Sequence, residues 1–98
     1  MKYLLWLAHD CKGIGEVANA LKKQGVDVDL LLLQDGVFLL DKGCRNNEEL
    51  DMVGKIYALS HHVEERGIGK RLAKDANLVD YGQMIDLIME QYDKVISL

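Results

Sequence analysis

The chain has 98 residues, 49% of them hydrophobic, and a formal net charge of −4. That size and composition imply one globular domain, residues 1–98, and exclude a disordered chain. The acidic balance argues against a freestanding nucleic-acid binder, which carries a basic stripe, and no segment reaches the roughly 20 apolar residues that cross a bilayer. A cytoplasmic protein with no membrane and no direct nucleic-acid partner is expected.

Lys2 to Ala8 reads as a first strand. Its apolar run is too short for a signal peptide and is broken by His9 and Asp10. A loop to Gly15 leads into a helix over Ile14 to Gln24, which puts Val17, Ala18, Leu21 and Ala20 on its sheet-facing side and stops at Gly25. Val26 to Leu33 is a second strand. Its four consecutive leucines, Leu30 to Leu33, suit a strand buried on both faces, as in a parallel sheet covered above and below. Gln34-Asp35-Gly36 marks its exit.

Gly36 to Lys42 reads as a short helix closed by Gly43, and Cys44 to Glu49 as a polar loop, with a further turn beginning over Leu50 to Met52. Lys55 to Leu59 is a third strand, and Ser60 is the expected N-cap of a helix that ends by Gly67. Ile68 to Lys74 reads as a turn or an excursion. Ala76 to Val79 is a fourth strand leaving through Asp80-Tyr81-Gly82. An amphipathic helix follows, with Met84, Ile85, Leu87, Ile88 and Tyr92 as its apolar stripe, and Lys94 to Leu98 is the last strand. The alternation predicts an α/β fold: a small three-layer α/β/α domain whose mostly parallel sheet has about five strands.

In such a sheet the loops after successive strands converge on one edge, where ligands and chemistry gather. That edge would carry His9, Asp10 and Cys11, then Gln34, Asp35 and Gly36, then Ser60, His61 and His62, then Asp80 and Tyr81. Two cysteines are too few for a stapled scaffold and read as free thiols. Cys11 precedes a helix, whose free N–H groups and dipole favour a thiolate; Lys12 supports that charge and Asp10 opposes it. Cys44 lies between Lys42 and Arg45 beyond the short helix, and is the second thiol candidate.

The adjacent histidines point apart on a helix, and no CxxC or HxxxH spacing supports a metal site, so none is expected. One histidine should face solvent and the other pack at an interface. Asp35 and Asp80 read as structural strand exits rather than an acid/base pair. Gly13-Ile14-Gly15 is only a fragment of a dinucleotide loop, and no cofactor is expected.

The ordered set Leu31-Leu32-Leu33-Gln34-Asp35-Gly36-Val37, Ile56-Tyr57-Ala58-Leu59, Val63-Glu64-Glu65-Arg66-Gly67, Val79-Asp80-Tyr81-Gly82-Gln83-Met84-Ile85-Asp86-Leu87 and Asp93-Lys94-Val95 resembles the DsrE/DsrF/DsrH superfamily, most closely its DsrH/TusB branch. The resemblance runs from about Leu30 to the end. It implies an α/β subunit of a sulfur-relay system that passes persulfide sulfur between cysteines. The destination would be tRNA wobble-uridine thiolation or dissimilatory sulfur oxidation. Implied partners are DsrE/TusD- and DsrF/TusC-like subunits, or other copies of the chain, together with TusA/TusE-like sulfur carriers.

The resemblance places the DsrE/TusD-type cysteine just after the third strand, at about Leu59 here, and a DsrH-type cysteine in the first helix, where Ala18, Asn19 and Ala20 stand. Cys11 would then have to serve from the preceding loop. The alternatives are a non-catalytic assembly subunit whose partner carries the cysteine, and a small-ligand-binding domain using the Asp35 and Asp80 loops. Oligomerisation is expected, with Val37, Phe38, Leu39 and Leu40 as candidate interface residues.

Overall fold

In the computed structural model, residues 1–8, 14–43, 47–72 and 75–98 are described. They form strands β1 (Lys2–Leu7), β2 (Asp27–Leu32), β3 (Ile56–Leu59), β4 (Asn77–Val79) and β5 (Lys94–Ser97). Helices α1 (Gly15–Lys23), α2 (Ser60–Glu65) and α3 (Tyr81–Glu90) lie between them, with two 3-10 helices, Gln34–Leu40 and Asn47–Met52, between β2 and β3. The strands make one sheet in the order β4-β3-β2-β1-β5, and every pairing is parallel.

The sequence dictates this layering through connection handedness. Parallel crossovers are right-handed. Steps from β1 to β2, β3 and β4 all move one way across the sheet, so their connecting helices share one face. The return from β4 to β5 runs the other way and puts α3 on the opposite face. The core divides accordingly. Leu5, Leu7, Leu30, Leu32 and Ala58 meet Ile14, Ala18, Leu39, Leu40, Leu50 and Val63 on one side. Leu4, Leu31, Tyr57, Leu59 and Val79 meet Met84 and Leu87 on the other. Successive leucines of β2 point to opposite faces. Leu30, Leu31 and Leu32 are fully buried, each contributing about 1.5–3 kcal/mol of burial.

Gly25 ends α1 with φ +74°, a left-handed conformation that costs glycine little. Five expectations are corrected. Ala20, expected on the sheet-facing side of α1, is exposed, and Ala18 is the residue that this helix buries. Ser60 is the first residue of α2 rather than its N-cap; Leu59 holds that position and no side chain caps the helix. The segment after β2 winds as a 3-10 helix starting at Gln34, not as a helix from Gly36. Val37, Leu39 and Leu40 are fully buried, because that 3-10 helix lies on the sheet. Only Phe38 of the expected interface set is partly exposed. Ile85, placed in the core stripe of α3, is 55% exposed instead. The stretch after α2 is an excursion in which Leu72 bridges antiparallel to Asp41 and Arg71 pairs with the Asp41 carboxylate at 2.8 Å.

Candidate functional site

β3 and β4 are neighbours, yet their exits lead to opposite faces: β3 into α2, β4 into α3. Such a reversal opens a crevice at the carboxyl ends of the strands, the usual place for a site in an open α/β sheet. His62 on α2 and Tyr81 at the start of α3 span it. The His62 ring is buried, and its Nε2 lies 3.0 Å from the Tyr81 hydroxyl, the two rings meeting edge to face.

The backbone N–H of Gln34, at the exit of β2, donates to His62 Nδ1 at 2.7 Å. An Nδ1 that accepts carries no proton, so the neutral ring is protonated at Nε2 and donates to the tyrosine oxygen. The hydroxyl hydrogen of Tyr81 is then free to point elsewhere. Burial holds the His62 pKa below the ordinary histidine value, and the nearby Arg66 charge adds to the effect. Gln34 itself has φ +48°, an uncommon left-handed position for a residue with a β-carbon.

Beside this network, Arg66 Nε donates to Asp35 Oδ1 at 3.0 Å. Asp80 is committed elsewhere: its carboxylate accepts from the Gln83 N–H at 2.7 Å, and the Gln83 side chain accepts from the Asp80 N–H at 3.0 Å. This capping box secures the start of α3. Asp35 and Asp80 thus each hold structural partners. His61 is exposed and faces Glu65 at 3.2 Å, as the adjacent pair suggested, while His62 packs within the chain and not at an interface.

Gly36 fits tightly. A β-carbon there would overlap the carbonyl oxygen of Leu7 and approach Ala8, so the exits of β1 and β2 are pressed together. His9, Asp10 and Cys11, and likewise Cys44, lie outside the described residues. The segment carrying Cys11 runs between Ala8, beside Gly36, and Ile14.

At the far end of that segment the Ile14 N–H donates to Glu49 Oε2 at 2.6 Å. The amino end of α1 therefore already has a carboxylate partner. That disfavours a phosphate there, and a thiolate drawing on the same dipole would share it with Glu49. Among the described residues no cluster of His, Cys, Asp and Glu is arranged to hold a metal.

The sequence placed His62, Tyr81, Gln34, Asp35 and Asp80 on this edge but did not reveal the backbone donation of Gln34 or the contributions of Arg66 and Glu49. Gln34 acts through its backbone, which no residue pattern reveals. Arg66 stood in the resemblance motif without a role.

Comparison with known proteins decides the relationship. The family model described as DsrH like protein matches residues 11–95. The chain belongs to the DsrH family. Among curated DsrH relatives, Protein TusB of Salmonella arizonae and of Salmonella newport are each 37% identical over 62 residues. The match takes in 62% of this chain and spans 65% of the length of those relatives.

The fold of this DsrH member is also shared by solved structures. It matches the ychN protein of E. coli with a TM-score of 0.79 at 19% identity, covering 100% of both chains. It matches BT1422 of Bacteroides thetaiotaomicron with 0.78 at 16% identity, over 99% of this chain and 94% of that one. MTH1491 of Methanobacterium thermoautotrophicum gives 0.75 at 14% identity, over 99% and 98%.

Proposed function

We propose that this chain is a subunit of a sulfur relay, passing persulfide sulfur within an assembly of DsrE/TusD- and DsrF/TusC-like partners. TusA-like and TusE-like carriers stand on either side of it, in the cytoplasm. The observation that carries this reading is the DsrH family match over residues 11–95; its likeness to Protein TusB favours tRNA wobble-uridine thiolation as the destination. No helix among the described residues is long and apolar enough to cross a membrane, which accords with that setting.

The chemistry is thiol exchange. An acceptor thiolate attacks the terminal sulfur of a donor persulfide; the donor S–S bond breaks, and the donor leaves as a thiolate. In this chain Cys11 is the first candidate acceptor, because in the sequence it comes three residues after Ala8, which lies against Gly36 where β1 exits, and four before α1. Cys44 is the second.

A second reading, an assembly subunit whose partner supplies the cysteine, is favoured by one observation. Leu59, at the place the resemblance assigns to the DsrE/TusD-type cysteine, is an aliphatic side chain with no exposure at all.

Intact mass spectrometry after incubation with a cysteine desulfurase and cysteine separates the two. A gain of one sulfur atom, lost in Cys11→Ser and kept in Cys44→Ser, is the expected result. No gain in folded wild-type chain would contradict autonomous acceptance and favour the assembly reading.

A further inference from the structure

Tyr81 is 51% exposed, and its hydroxyl stands at the crevice with one partner among the described residues, His62 Nε2 at 3.0 Å. That partner fixes where the hydroxyl proton can go. His62 Nδ1 is occupied by the Gln34 N–H at 2.7 Å, so the ring proton sits on Nε2 and the tyrosine oxygen accepts it. The hydroxyl proton cannot point back at the ring. Both carboxylates of this edge are engaged as well, Asp80 with the Gln83 N–H and Asp35 with Arg66. A hydroxyl that accepts one hydrogen bond is also a stronger donor of the next, because the two polarise each other.

Gln34, which starts this chain of donors, is the one non-glycine with positive φ among the described residues, at +48°. Backbone of this kind persists where its surroundings over-determine it, and it clusters at binding and catalytic positions. Joining α2 to α3 needs no such chain, since apolar side chains at both positions would hold the helices together about as well.

We propose that the Gln34 N–H and the His62 ring turn the Tyr81 hydroxyl outward as the hydrogen-bond donor for a cysteine sulfur anion at the crevice. The inference rests on the sulfur-relay reading, which supplies the sulfur. An acceptor thiolate attacks the terminal sulfur of a donor persulfide, R–S–SH. The new S–S bond forms as the old one breaks, and the donor sulfur leaves with the electron pair as a thiolate. Tyr81 donates to that leaving thiolate without losing its proton. A thiolate offers lone pairs and no proton, so it can only accept. His62 is a positioning residue: with Nε2 protonated and Nδ1 occupied, it takes no proton from the tyrosine. The same chemistry has two sources, a carrier cysteine meeting Cys11 of this chain, or a carrier cysteine meeting one on a neighbouring subunit.

Tyr81→Phe tests this, because it keeps the ring that meets His62 edge to face and removes only the oxygen. Circular dichroism confirms the fold of each variant. Single-turnover transfer of ³⁵S from a persulfidated TusA-like donor is followed in two arms, with this chain alone and with TusC- and TusD-like subunits added. Tyr81→Phe is expected to slow transfer at least about tenfold, the loss of one hydrogen bond to a charged group. Slowing in the first arm assigns the sulfur to the meeting with Cys11, and slowing in the second arm alone to a neighbouring subunit. His62→Gln, whose amide keeps the donation to Tyr81, should transfer faster than folded His62→Leu, which lacks it; equal rates would contradict the role of His62. A second readout needs no relay. In chain labelled with ¹⁵N-histidine, sodium hydrosulfide should shift the His62 Nε2 resonance in wild type but not in Tyr81→Phe, and sodium chloride at equal ionic strength should shift neither. Wild-type transfer that Tyr81→Phe leaves unchanged would overturn the proposal, as would a hydrosulfide shift absent from wild type or equal in both proteins. Transfer absent from both arms would instead contradict the relay reading, and the hydrosulfide titration would still decide what the hydroxyl does.

Discussion

His62 Nε2 sits 3.0 Å from the hydroxyl of Tyr81, tying α2 to α3 above the two strands whose exits part to opposite faces. With Gln34 donating to the other ring nitrogen, three strand exits share one imidazole. The ring works in this arrangement only while Nδ1 is unprotonated. The crevice therefore depends on the charge state of a single buried side chain.

That dependence fixes a sign. The folded chain holds the His62 pKa below its ordinary value of 6.5, first through burial and then through Arg66. As pH falls the unfolded chain takes the proton first. The stabilisation is thus complete above about pH 6.5 and is lost progressively as pH falls from there towards the folded-state value. Urea unfolding across this window should show stability declining with acid. The decline should be shallower in His62→Gln, whose amide accepts from Gln34 and donates to Tyr81 without titrating. Equal slopes in the two proteins would contradict the assignment.

Gly36→Ala tests the tight passage between the exits of β1 and β2. The added carbon would meet backbone, the Leu7 carbonyl, which cannot rotate away. A loss of about 3 kcal/mol in urea unfolding is expected, at the upper end of ordinary overpacking. A neutral outcome would mean that the two exits separate more readily than this packing allows.

At the other end of the crevice, Asp80→Ala removes the acceptor of the Gln83 N–H and with it the capping box. The cost should be about 1 kcal/mol. Because Tyr81 is the next residue, hydrogen exchange at the first turn of α3 should accelerate as well. Unchanged exchange there would show that the cap does not hold Tyr81 in place.

Asp35→Asn offers a contrast. Its ion pair with Arg66 has a side chain 58% exposed on the aspartate side, so solvent screens most of the attraction. A change below about 1 kcal/mol is expected from thermal or urea unfolding. A larger loss would assign Arg66 a structural role that this geometry does not.

Much of this was legible in the residues. The leucines of β2 announced a strand buried on both faces, and the right-handed rule converts the order of elements into the observed layers. Of the adjacent histidines, His61 faces solvent as expected, while His62 is buried within the chain rather than at an interface. What misled was local. Ser60 looks like a cap, but Leu59 already holds that position, and the capping box stands at Asp80 with Gln83 three residues on. The run Val37 to Leu40 looked like surplus surface because hydropathy does not say that a 3-10 helix lies flat on the sheet. Ile85 erred the other way, because a ten-residue helix on one face buries only Met84 and Leu87. The His62–Tyr81 contact joins residues 19 apart on different helices, and only the crossing of the exits brings them together.

The central claim is that this chain is a working part of a sulfur relay, and labelled sulfur tests it most directly. Transfer of ³⁵S from a persulfidated TusA-like donor to a TusE-like acceptor would be followed with TusC- and TusD-like subunits, with and without this chain. Transfer that requires this chain is the result expected. The same rate and extent in its absence would contradict the account.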